Sequence, residues 1–85
     1  VGADSPEDIL AANDLRDMIL DSFSKLPEDI RTALSLREFE GLSYEEIANV
    51  LACPIGTVRS RIYRGRETIQ KKINFWMLFI MLLKK

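Results

Sequence analysis

The chain has 85 residues, 47% hydrophobic and 29% charged, which describes one small folded domain or a piece of a larger protein rather than a disordered segment. Twelve Lys and Arg against thirteen Asp and Glu leave a net charge of −1, an average that argues against nucleic-acid binding over the whole surface. Histidine is absent and Cys53 is the only cysteine, so histidine acid–base chemistry, His or Cys-rich zinc sites and an internal disulfide are all excluded.

The average conceals an asymmetry. Residues 1–46 hold twelve acids and four bases, net −8, whereas residues 47–85 hold one acid and eight bases, net +7. The four glycines are scattered and form no phosphate loop, and acid pairs such as Glu45 and Glu46 read as solvated helix faces. An enzyme is therefore not expected, nor a cofactor or a metal. Cys53 suits a reducing compartment, the cytoplasm, and the role of a small buried hydrophobe. No basic stretch followed by an apolar run opens the chain, so no signal peptide is expected.

The pattern predicts helices throughout, without strand alternation or internal repeats. Residues 1–5 read as a frayed end. Ser5-Pro6-Glu7-Asp8 starts the first helix with a capping hydroxyl, a proline in the first turn and two acids at the positive end of the dipole. Ile9, Leu15, Met18, Ile19, Phe23 and Leu26 then recur at helical spacings. Pro27-Glu28-Asp29 starts a second helix, whose predicted buried stripe is Ile30, Ala33, Leu34 and Phe39, and Gly41 supplies a left-handed stop.

Ser43-Tyr44-Glu45-Glu46 has the form of a capping box, with Leu42 and Ile47 placed as a hydrophobic staple across it. Ile47, Ala48 and Leu51 give the third helix a short buried face. That helix should end near Leu51 or Ala52, because Pro54 disfavours a helical Cys53. A last helix begins around Pro54–Gly56 and runs past Lys72. Val58, Ile62, Ile69, Ile73 and Met77 are expected along its inner side, with Gly65 and Arg66 in the intervening turn. From Arg59 to Lys72 six bases and one acid give net +5.

A short capped helix, a tight turn and a second helix with Arg, Ser and Tyr near its start is the layout of a helix-turn-helix that reads a major groove. A guanidinium can grip a guanine edge with two parallel bonds or pair with a phosphate. Ser60 can bond either partner, and the Tyr63 ring can meet a thymine methyl or the sugar-phosphate wall. Ala48 is small where two helices must approach, and Leu51 and Val58 flank the turn as its core. A lone basic helix would more simply be a solvated face; the capped helix and turn just upstream favour DNA.

Residues 26–67, LPEDIRTALSLREFEGLSYEEIANVLACPIGTVRSRIYRGRE, resemble region 4 of extracytoplasmic-function (ECF) RNA polymerase sigma factors, closest to the sigma-E/AlgU type. LPEDIR, GLSYEEIA and CPIGTVRSRI in this order and spacing are together highly specific, and residues 14–25 follow the family more loosely. The resemblance implies an all-α, four-helix domain with a C-terminal helix-turn-helix at about residues 43–67, winged-helix-like in its recognition unit. It implies a bacterial promoter-recognition domain that binds the −35 element, docks on the β-subunit flap of RNA polymerase and is masked by an anti-sigma factor. By that match Arg59, Ser60, Tyr63 and Arg64 face bases and adjoining backbone, and Arg37 and Arg66 contact phosphates. Arg61 is assigned to a phosphate, an acid or the backbone.

Region 2 of the family has no counterpart in the sequence, so the chain is not expected to initiate transcription by itself. Two rival functions are a response-regulator-type helix-turn-helix output domain, which shares GLS-x-x-EIA, and a helical protein-binding module held by an anti-sigma factor. GTVRSR and the LPEDIR lead-in speak against the first, and an open face at Arg59, Tyr63 and Arg64 would speak against the second. The resemblance does not account for the extension at residues 73–83. Phe75 to Leu83 is nine unbroken apolar residues followed by Lys84-Lys85, too short to cross a bilayer, which needs about 20. It is expected to fold back on the core or to pair with another copy, ahead of an altered terminus or a membrane contact.

Overall fold

The computed structural model describes the backbone of residues 6–83 and the side chains of residues 13–83. Four helices follow in order: α1 (Pro6–Ser24), α2 (Glu28–Glu38), α3 (Tyr44–Leu51) and α4 (Ile55–Leu83). The expected cap at Ser5 and the role of Ile9 fall outside the described residues. Among the described residues there is no strand, so the likeness to winged-helix domains extends only to the helix-turn-helix.

The core lies where α2, α3 and the first half of α4 meet. Leu26, Ala33, Leu34, Ile47, Val58 and Ile62 are all buried, with Ile47 and Val58 wholly removed from solvent. Phe23, Ile30, Leu42, Leu51 and Ile69 pack around them. Fully burying one Val, Leu or Ile side chain stabilises the fold by about 1.5–3 kcal/mol, so the five besides Ala33 matter greatly to so small a domain. The turn between α1 and α2 is fastened by Arg31, whose Nη1 donates to the carbonyls of Ser24, at 3.1 Å, and Leu26, at 3.2 Å. α1 runs antiparallel to the second half of α4: Met18 and Ser22 line one cleft with Lys72 and Thr68.

Two predicted core positions are corrected. Phe39 is 67% exposed and meets only the edge of the Phe23 ring, at 5.5 Å between centroids. At about 100° per residue, position 39 falls opposite Ile30, Ala33 and Leu34 on the wheel, and α2 has already ended at Glu38. Leu42, beyond the Gly41 turn, takes that place against the core. Gly41 does adopt the expected left-handed backbone, φ 72°. On α4, Met77 is exposed, and the half-buried stripe runs Ile69, Ile73, Trp76, Ile80. The three-residue step from Ile73 to Trp76 keeps that stripe aligned with α1 where a four-residue step would carry it outwards.

Two backbone features decide how the helix-turn-helix closes. Ala52 ends α3 in the left-handed conformation, φ 53° and ψ 48°. It lets the Cys53 N–H reach the Ala48 carbonyl at 3.0 Å and the Ala52 N–H reach that of Asn49 at 3.3 Å, the paired bonds of a Schellman stop. Pro54 therefore follows a helix that Ala52 has already ended. Gly65 is buried inside α4, and a Cβ there would lie 3.0 Å from both Ile30 Cγ2 and Leu34 Cδ2. Gly65 is thus the point at which α4 touches α2 backbone-close.

Two stability effects of opposite sign follow. Ala52→Gly should stabilise the domain by about 0.5–1 kcal/mol, since glycine carries no left-handed penalty. Gly65→Leu should destabilise it by about 1–3 kcal/mol through overpacking, while Gly65→Ala costs far less because a helix favours Ala over Gly by about 1 kcal/mol. Urea titrations of the three variants check both.

Candidate nucleic-acid interface

The surface begins with the geometry of α3. Ser43 adopts an extended conformation, and its Oγ accepts from the Glu46 N–H at 3.1 Å. The Glu46 carboxylate accepts from the Ser43 N–H in return, at 2.8 Å. This reciprocal box satisfies two otherwise unpaired donors and sets where α3 begins. It also holds the Glu46 carboxyl below its ordinary range, chiefly through the Ser43 backbone bond and then through the Ser43 side chain.

After the Ala52 stop, Thr57 and Val58 donate to the Pro54 carbonyl and start α4. Val58, Ile62 and Gly65 take the inward side of its first turns. Arg59, Ser60, Tyr63 and Arg64 consequently fall on the outward side, within an arc of about 140°. All four are exposed, Tyr63 by 67%. The sequence-predicted row is therefore one continuous open face. Among the described residues, the Arg64 guanidinium has neither an ion-pair nor a hydrogen-bond partner.

The flanking arginines are held. On one side of the row Arg61 is turned into the fold: its Nε lies 3.4 Å from an Asp29 carboxylate oxygen, and its Nη1 lies 3.9 Å from Cys53 Sγ. That is the acid-paired alternative for Arg61. Cys53 is half-buried against the core, so it is a packing residue whose thiol has a cation beside it. On the other side Arg66 Nε donates to Glu38 Oε1 at 2.8 Å, and Nη2 reaches the same oxygen. The bond to Glu38 raises the Arg66 guanidinium above its ordinary value, with a smaller contribution from Tyr44. Asp29 and Glu38 stand at the two ends of α2, so that helix brackets α4 with one ion pair at each end.

Sequence reasoning missed Tyr44 as a member of this surface. Its ring is overlain by Arg37, 5.0 Å from guanidinium carbon to centroid, and more distantly by Arg59, at 6.0 Å. Arg37 also donates through Nη1 to the Leu42 carbonyl at 2.9 Å, which ties the end of α2 to the start of α3. A Tyr at the first helical position, one residue after the Ser cap and seven after an Arg, was the available signal. Its stacking role emerges only once α2, α3 and α4 converge.

Residues 16–69 match the protein family described as sigma-70, region 4. The chain belongs to this family. The finer resemblance to the sigma-E type is borne out as well. The ECF RNA polymerase sigma-E factor of Haemophilus influenzae is 53% identical over 70 residues, 82% of this chain and 37% of that protein. The RNA polymerase sigma-H factor of Pseudomonas aeruginosa is 54% identical over 82% of this chain. The ECF sigma-E factor of Escherichia coli strain K12 is 51% identical over 81%. The chain spans little more than a third of the length of these relatives, 36–37%. A sigma region 4 domain of this kind is not a response-regulator output domain, which sets that rival aside.

The capping box makes a pH-dependent contribution of definite sign. Because the folded-state pKa of Glu46 is depressed, the stabilisation is present above the ordinary glutamate range and is lost as the pH falls through the folded value. Glu46→Gln should therefore be less stable than the parent at neutral pH, and the difference should shrink as the pH falls through the depressed folded value of Glu46 and the parent carboxylate protonates. Ser43→Ala, which removes the cap hydroxyl, should cost about 1 kcal/mol. Urea denaturation over this pH range checks the pair.

Proposed function

We propose that this chain is the promoter-recognition domain of an ECF sigma factor of the sigma-E type, and that it reads the −35 element by laying the start of α4 in the major groove. The observation that carries this is the open row Arg59, Ser60, Tyr63 and Arg64, backed by the buried Val58, Ile62 and Gly65. A helix presented this way can enter a groove about 12 Å wide with its inner side anchored to the rest of the domain. The open face also weighs against a purely protein-binding module, which would have no use for unpaired guanidinium groups there.

The roles divide by environment. Arg64, with no protein partner among the described residues, is the best placed to grip a base edge. Arg59, Ser60 and Tyr63 complete the base and adjoining backbone contacts. Arg37 and Arg66 serve phosphates from positions fixed by Tyr44 and Glu38. Arg66 keeps its side chain 50% exposed while paired, so a phosphate oxygen can reach its outer edge. In this account RNA polymerase, through its β-subunit flap, and an anti-sigma factor are the protein partners, met by the acidic outer surfaces of α1 and α2. No helix among the described residues is long and apolar enough to cross a membrane, and the cytoplasm is the proposed location.

Selection from a pool of randomised duplexes at physiological salt tests the reading without assuming a promoter sequence. One enriched motif is expected, and persistence of an unenriched pool would refute sequence recognition. On the selected duplex, Arg64→Ala should weaken binding by about 1–3 kcal/mol and relax preference at one position. Arg66→Ala should instead weaken all duplexes alike and reduce the slope of log affinity against log salt by about one.

A further inference from the structure

The apolar end of α4 is the one large surface that the DNA-binding reading leaves unused. Seven large apolar side chains between Phe75 and Leu83 stand 51–71% exposed. Only Ile73, Trp76 and Ile80 are half-buried, on the side that faces α1. At about 100° per residue the exposed set sweeps an arc of about 240° around the helix. At roughly 100 Å² for each half-exposed large side chain, it offers about 700 Å² of apolar surface. That exceeds the largest patch on a typical monomer, about 300–600 Å², and approaches the roughly 800 Å² that each partner gives to a standard interface.

From this surface we infer that the occupant is a second copy of the same chain, with the two α4 ends paired antiparallel about a two-fold axis near Leu78. A bilayer does not fit. Residues 75–83 carry no charged or polar side chain, so the helix lacks the polar face that an interfacial helix needs. Nine residues rise only about 13 Å, less than half of the hydrocarbon core. A second copy satisfies the surface with itself, as an isologous interface requires. Leu78 and Leu82 lie near the middle of the exposed arc, and a two-fold axis there sets Phe75 of one copy beside Leu82 of the other.

Charge decides the direction. The segment Arg59–Lys72 carries net +5. Parallel pairing would bring two such segments within about 10 Å, the spacing of packed helices. Antiparallel pairing separates their centres by about 35–40 Å, several Debye lengths at physiological salt. It also leaves both Arg59–Arg64 rows at the outer ends of the pair, open to DNA.

Multi-angle light scattering and sedimentation of the full chain over a range of concentrations test this. The expected mass is twice the 9.7 kDa of one chain, falling to a single chain for the double variant Leu78→Lys, Leu82→Lys with its helical circular dichroism retained. The single-chain mass throughout would overturn the proposal. So would a mass that climbs without a plateau at two chains, or a dimer that the variant leaves intact. Flotation of a single-chain species with phosphatidylglycerol vesicles would overturn it in favour of a lipid surface. If the Lys variant fails to fold, cysteine pairing decides instead. In a Cys53→Ser background, Leu78→Cys should oxidise to a disulfide dimer and Leu83→Cys should not. Equal cross-linking at both positions would overturn the antiparallel pairing.

Discussion

The close approach of α4 to α2 at Gly65 is the constraint on which the rest of the structure depends. With no side chain there, Ile30 and Leu34 press against the α4 backbone, and Ile62 and Val58 sink into the same core one and two turns earlier. That contact fixes the rotation of α4 about its axis. Once Val58, Ile62 and Gly65 point inwards, helical geometry leaves Arg59, Ser60, Tyr63 and Arg64 no position but the outside. The proposed recognition surface is thus a by-product of core packing, and its accuracy is that of the core.

The acidic half of the chain acquires a structural use within the same frame. Asp29 and Glu38 sit at opposite ends of α2 and take hold of Arg61 and Arg66, the two arginines that flank the exposed row. Exposed ion pairs of this sort contribute little to stability, about 0–1 kcal/mol each. Their effect is on position and on charge. They hold Arg61 and Arg66 in place beside the row and partly neutralise them, which leaves Arg64 without a protein partner among the described residues and Arg59 beside the Tyr44 ring. A domain with net charge −1 can in this way carry a locally basic reading surface without adhering to nucleic acid everywhere.

Much of this was legible in the sequence because the signals were local. The capping box at Ser43, the left-handed Gly41, the Pro27 start and the outward row on α4 are all set by spacings of one to four residues. What escaped prediction depended on distant partners or on backbone strain. Gly65 reads as one residue of the turn between Ile62 and Ile69 until α2 is seen against it. Tyr44 looks like a cap neighbour until Arg37 and Arg59 close over its ring. Phe39 looked buried because it is large and apolar, but the wheel position and the end of α2 put it outside. Ala52 in a left-handed stop, where glycine is the common choice, leaves no trace in the pattern. The match to the sigma-70 region 4 family covers residues 16–69, so the apolar end of α4 lies beyond what family likeness accounts for.

The central claim is that the outward row of α4, and not another surface, meets DNA. Amide chemical shifts of the isotopically labelled chain, followed during titration with a selected duplex, test it most directly. The account predicts perturbations concentrated at Arg59–Arg64 and at the Tyr44 and Arg66 flanks, with α1 and the apolar end of α4 unmoved. Perturbations centred on α1 or on residues 73–83, with Arg59–Arg64 unchanged, would contradict it.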